Sequence, residues 1–140
     1  MQRPQLAVFS LVLALTGATS CGRAAAMADP TVVQTVHITI HFSRFDPSVV
    51  HVQPGETVHF VVQNTDPIDH EFILGDAALQ EVHEKGTEAF HPPRPGEMTV
   101  PAGTTQVTTY AFPATNPGLT FACHLPGHFA YGMVGQIVFE

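Results

Sequence analysis

Residues 123–133 read CHLPGHFAYGM, which sets Cys123, His124, His128 and Met133 in a loop punctuated by Pro126-Gly127 and Gly132. Strand-like stretches flank it: "LTFAC" ends at Cys123 and "MVGQIVFE" begins at Met133. Gly and Pro at these positions let a short connection fold tightly. The segment therefore reads as strand, tight loop, strand. Such a loop can aim Cys123, His128 and Met133, spaced C-x4-H-x4-M, at one point.

The same strand grammar extends outward. In "VHITIHF", Val36, Ile38, Ile40 and Phe42 share one face and His37, Thr39 and His41 the other. In "TVHFVVQN", Val58, Phe60 and Val62 oppose His59, Val61 and Gln63. Period-2 alternation marks half-buried strands. "FDPSVVHVQPGE" places a short strand over Val49–Val52, ended by a Pro54-Gly55 turn, and "HEFIL" and "TTQVTTYAF" supply two more. About seven to eight strands at turn-punctuated spacing predict an all-β, Greek-key β-sandwich. One stretch differs: Asp76 suits an N-cap, the run to about Lys85 suits a helix, and Gly86 suits a stop. A short helical insertion near 76–86 is expected over the outside of the sandwich, followed by a Pro-rich loop.

The 140 residues make one domain's worth of chain, and 12 acidic against 5 basic residues give a net charge of −7. That balance argues against a nucleic-acid or anionic-membrane surface. The start carries Arg3, then an apolar run over Leu6–Leu15, then small residues. The run is too short to span a bilayer, and the pattern is that of an export signal. Residues 1–26 are read as export signal and short tether, and 32–140 as the folded domain. Ala24-Ala25-Ala26 or Ala26-Met27-Ala28 suits ordinary cleavage. Ala18-Thr19-Ser20-Cys21 instead looks like a degenerate lipobox, which would leave Cys21 lipidated as a membrane tether. The two readings carry equal weight, and both place the domain in the periplasm or cell envelope.

Cys123 is then the only thiol of the folded domain. Exported proteins usually pair their cysteines, so a lone thiol needs protection, and a metal provides it. A fourth ligand must come from elsewhere. His70 follows the turn-like "NTDPID" and starts a short strand. Two imidazoles, one thiolate and a thioether make the trigonal His2Cys set with a weak axial Met that suits copper in electron transfer. Methionine is a poor zinc ligand. The expected metal ligands are His70, Cys123, His128 and Met133. The plainer readings are a buried small Cys123, a His70 bonded to Asp69 or Glu71, and a Met133 that only packs.

These residues, with "DHEFILGD" and "FDPSVVHVQPGETVHFVVQN", make the chain similar to the cupredoxin (blue copper protein) family over about 32–140. The C-x4-H-x4-M spacing is nearest to rusticyanin- and azurin-like members. The resemblance implies an eight-stranded Greek-key sandwich and one type 1 copper ion. His70, Cys123 and His128 would be equatorial ligands and Met133 axial, in a protein that carries single electrons and is not an enzyme. Glu71 departs from the Asn or Ser usual after the first histidine, and would make the site redder and lower in potential if its carboxylate lay beside the metal. His124 after the cysteine is also unusual. Multicopper oxidases flank that cysteine with histidines, but Ala122 precedes it here and no His-x-His pair occurs.

Two rivals stay in view: a copper carrier or chaperone of the envelope, and a small copper enzyme with an open coordination position. Leu125, Pro126, Phe129 and Ala130 around His128 suggest an apolar face for transient docking of a redox partner, with the protein itself a monomer. His37, His41, His51 and His59 fall on the polar parity of their strands. His124 is expected to face solvent. A second metal site at His83 and His91, near Glu81, Glu84 and Glu88, is the minor reading beside a solvated helix.

Overall fold

The structure, a computed structural model, describes residues 33–140. The readings of an export signal, a tether and a lipidated Cys21 lie outside the described residues. The chain forms β1 (Val33–Ile40), β2 (Phe45–Asp46), β3 (Val49–Val52), β4 (Thr57–Asn64) and β5 (His70–Gly75). After them come α1 (Ala77–Glu84), β6 (Glu97–Val100), β7 (Thr105–Ala111), β8 (Thr120–Ala122) and β9 (Val134–Phe139). One sheet runs β2-β1-β4-β7 and the other β3-β9-β8-β5-β6. Because the chain passes between sheets after β2, β3, β4, β6 and β7, the strands interleave as a Greek-key sandwich. Two pairings are parallel, β1 on β4 and β3 on β9, and the rest are antiparallel.

The alternation is realised as burial. Val36, Ile38, Ile40, Val58, Phe60 and Val62 point inward from the first sheet, and Val50, Val52, Phe72, Leu74, Phe121 and Ile137 from the second. Phe72 lies at the middle, its ring 5.3 Å from Phe60, 5.4 Å from Phe121 and 6.1 Å from Phe45. Phe42 departs from its expected face and is 80% exposed. β1 ends at Ile40, and Phe42 and Ser43 take left-handed φ values of 51° and 53°, which breaks the alternation.

Among the described residues there are nine strands where about seven to eight were expected. The two that the alternation did not mark, β2 and β6, are short: two and four residues. The helix follows its punctuation. Asp76 caps it by accepting from the Leu79 N–H at 3.0 Å, and Gly86 leaves it at φ 59°. Gly75 lets it sit close, because a Cβ there would meet the Leu79 side chain at 2.2 Å. The site at one end of the sandwich is thus built from the β4–β5 connection, the start of β5, and the β8–β9 loop.

Candidate metal centre

Three of the expected ligands meet. Cys123 Sγ lies 3.1 Å from His128 Nδ1 and 3.9 Å from His70 Nδ1, and the two Nδ1 atoms are 3.2 Å apart. Bonds of ~2.0–2.3 Å to nitrogen and sulfur give a trigonal set edges of roughly 3.5–3.8 Å. Two of the observed edges are slightly tighter and the Cys123–His70 edge slightly wider, all on the right scale, so the donor set fits a copper ion. His70 and Cys123 are wholly buried, and His128 is half-buried. Met133 is wholly buried at the foot of the same loop, where its N–H donates to His128 O at 3.0 Å and its carbonyl accepts from Cys123 N at 3.2 Å.

The β8–β9 loop holds its ligands through its own backbone. The His128 N–H donates to Leu125 O and the Gly132 N–H to Phe129 O, each at 2.9 Å. Gly127 and Gly132 supply the left-handed φ values of 85° and 87° that these turns require.

His70 is held from the other side. Its Nε2 donates to Asp66 Oδ2 at 3.0 Å. A carboxylate can only accept, so Nε2 carries the proton and Nδ1 offers its lone pair toward Cys123 and His128. This is the usual device by which a second partner fixes a ligating histidine. Burial holds His70 below the ordinary imidazole range, against the opposing pull of Asp66. The side chain therefore stays neutral and able to ligate. Asp66 also accepts from the N–H groups of Phe42 at 2.8 Å and Ser43 at 2.7 Å. Burial pushes its carboxyl up, but these hydrogen bonds and His70 outweigh it and the net displacement is downward. The plainer expectation gave His70 an Asp69 or Glu71 partner. Asp69 instead accepts from Ala102 N at 2.8 Å.

Asn64 completes this support. Buried at the end of β4, it donates to Ile68 O and Val100 O and accepts from Asp66 N, all within 2.9 Å. Neither Asn64 nor Asp66 was singled out from sequence. The "NTDP" turn composition was the available signal, since Asn and Asp there bond neighbouring backbone.

Glu71 takes up the cross-loop link. Its N–H donates to Cys123 Sγ at 3.3 Å, and its carboxylate accepts from His124 N at 3.2 Å. Burial pushes the Cys123 thiol up, opposed by the N–H groups of Glu71 and Leu125. A buried thiol that is costly to ionise alone releases its proton when it takes up a metal.

His124 does not face solvent; its side chain is 2% exposed. Its Nδ1 lies 2.8 Å from Glu84 Oε2 and its Nε2 2.6 Å from Gln80 Oε1. The Gln80 amide NH2 is fixed by Ile73 O and Thr120 O at 3.0 Å, so its oxygen must point at His124. Both ring nitrogens face acceptors, which removes His124 as a competing metal ligand. Helix α1 thus covers His124, and sequence periodicity had no way to reveal that closure.

The expected solvated environment of His83 and His91 is also corrected. Their side chains are 14% and 16% exposed and face Glu88 and Glu97. Glu81 instead pairs with Lys85, and Glu84 with His124. His37, His41 and His51 are exposed, and His59 is half-buried on the outer face beside Thr109.

Comparison with known proteins gives a consistent result. A family model described as copper binding proteins, plastocyanin/azurin family, matches residues 32–140. The chain is 41% identical over 99 residues to the copper-resistant cuproprotein CopI of Rubrivivax gelatinosus, covering 68% of this chain and 59% of that protein. It is 38% identical over 91 residues to the copper-resistant cuproprotein CopI of Vibrio cholerae serotype O1, covering 63% of this chain and 53% of that protein. The chain therefore spans little more than half the length of these two relatives. Among solved structures, auracyanin B is similar with a TM-score of 0.62 at 21% identity, over 80% of this chain and 92% of that one. At that identity the likeness speaks to the fold alone.

Proposed function

The chain belongs to the plastocyanin/azurin family of copper-binding proteins, and from that premise we propose that it is an exported, mononuclear blue copper protein carrying single electrons between redox partners. His70, Cys123 and His128 would hold one type 1 copper ion, with Met133 as a weaker fourth ligand. Bound there, copper supplies a one-electron Cu(II)/Cu(I) couple. The protein's part is to keep the donors in one arrangement suited to both states, so that little rearrangement accompanies each transfer.

One observation carries this reading: His70 and Cys123 are buried and pre-aimed, with His70 locked by Asp66 and Cys123 anchored by the Glu71 N–H. Such a site retains its ion and reaches solvent only near His128. Around it Pro126 and Ala130 are exposed, Tyr131 is 79% exposed, and Ile68 on the neighbouring β4–β5 connection is 48% exposed. A small apolar face of this kind permits brief docking of a redox partner to a monomer. Phe129 is half-buried, its ring 5.0 Å from that of His124, and contributes less to that face than its sequence position suggested.

The names of the CopI relatives favour a second reading, a copper-binding protein of the cell envelope that sequesters or hands on the ion. A copper-loaded sample cycled with ascorbate and ferricyanide beside a Cu(I) chelator separates the two. An electron carrier recovers its visible band through repeated cycles and keeps its copper. Loss of the ion to the chelator at the first reduction would instead establish the carrier reading.

A further inference from the structure

We propose that His83, Glu88, His91 and Glu97 form a second metal site, taking a divalent first-row ion of the zinc or copper(II) type. The four residues come from α1, the Pro-rich loop after it, and the start of β6. One donor atom from each lies within 4.8 Å of all the others. His83 Nε2 is 3.2 Å from Glu97 Oε2, and His91 Nε2 is 3.4 Å from both Glu97 Oε2 and Glu88 Oε1. A tetrahedral set with bonds of ~2.0–2.2 Å has edges of roughly 3.3–3.6 Å. The two His91 contacts fall in that range, and His83 to Glu97 lies just below it. The fourth, His83 Nε2 to Glu88 Oε2, is shorter at 2.8 Å.

Three details point to an ion rather than to a network of ion pairs. First, Glu88 Oε2 is a buried side-chain oxygen with no hydrogen-bond partner, although it lies 2.8 Å from His83 Nε2. His83 Nε2 hydrogen-bonds to Glu97 Oε2 at 3.2 Å, so its single ring hydrogen leaves the buried Glu88 Oε2 unserved, and an ion that replaced that proton would pair both carboxylates. Second, His91 Nδ1 donates to Pro92 O at 2.9 Å. A carbonyl cannot donate, so Nδ1 carries a proton and Nε2 is the atom turned toward the two carboxylates, the orientation a ligating histidine takes. Third, Arg94 donates to Glu88 Oε1 at 2.8 Å and fixes that carboxylate from outside the cluster. Two carboxylates against one guanidinium leave negative charge for a cation to offset.

The cluster lines a cavity of about 480 Å³ that also reaches Glu71 and His124, so an ion has a path in. Nitrogen and oxygen donors without sulfur select a borderline divalent ion over Cu(I), which distinguishes this site from the one at Cys123.

The test loads the full chain with one copper equivalent, titrates it with Zn(II) by calorimetry, and reads the zinc environment by X-ray absorption. One further equivalent should bind with only nitrogen and oxygen neighbours. His91→Ala and Glu97→Gln should each weaken it by about tenfold or more, while the visible band of the copper centre stays unchanged. A parallel Cu(II) titration followed by electron paramagnetic resonance should give a second, non-thiolate signal lost in the same variants. Binding of no further equivalent, its retention in both variants, or sulfur in the zinc shell would overturn the proposal. The titration is repeated in Cys123→Ser, which leaves the four residues intact, so failure of the copper centre and failure of this site are told apart.

Discussion

Asp66 joins three structural demands in one carboxylate. It fixes the proton of His70 and satisfies two N–H groups in a left-handed turn that non-glycine residues rarely adopt. Asp66→Asn would keep the size but present one acceptor and an NH2 to three donors. The expected cost is about 1–3 kcal/mol in denaturant unfolding, since buried donors lose their partner. Copper affinity should fall by about 10–100-fold as His70 loses its orientation. The pH dependence follows with its sign. The folded carboxyl sits below its unfolded value, so its contribution is complete above the ordinary carboxylate range and is lost as pH falls through the folded value. The acid limb of the stability curve should therefore flatten in Asp66→Asn. An unchanged acid limb would show that Asp66 does not carry this linkage. The candidate ligands were legible in sequence because Cys, His and Met are chemically distinctive and their spacing is local. Asp66, Asn64, Gln80 and Glu97 were not, because common polar residues acquire these tasks only when distant elements meet.

At the level of elements, the tolerance of the ligand-bearing loop depends on what lies beneath it. Gly135, on β9, sits against the Phe121 ring, where a Cβ would come within 2.1 Å. Phe121 is wholly buried against Phe45 and Phe72 and cannot yield. Gly135→Ala should destabilise by about 1–3 kcal/mol through overpacking. Gly132→Ala meets nothing within 4 Å and bears only the strain of φ 87°, so its effect should stay near 1–2 kcal/mol. Thermal unfolding of the two variants checks the order. Gln80 is the clamp between α1, β5, β8 and His124. Gln80→Leu removes the donor to two carbonyls and the acceptor at His124 Nε2, and about 1–3 kcal/mol should be lost. Strand alternation and helix punctuation were readable because each is local. β2 and β6 escaped because two to four residues carry too little periodicity. The parallel pairings of β1 with β4 and β3 with β9 follow from chain crossing between sheets, which no single segment encodes.

For the molecule as a whole, a net charge of −7 and an apolar face near His128 set the terms of encounter. Electron exchange with a basic redox protein should slow as salt is raised, because screening weakens the attraction. Ile68→Asp should slow exchange further at fixed salt by placing a charge in the docking face, and stopped-flow mixing reads both effects. Equal rates in the variant would remove that face from the account. The two clusters then divide the labour: a buried thiolate-imidazole set at the end of the sandwich, and an imidazole-carboxylate set under the helical insertion. The central claim concerns the first. Cu(II) added to the purified protein should give one bound ion per chain with an intense blue or green absorption band, absent in Cys123→Ser and present in Cys123-containing variants of the second cluster. A weak band typical of copper without sulfur, or an intense band that survives Cys123→Ser, would contradict it.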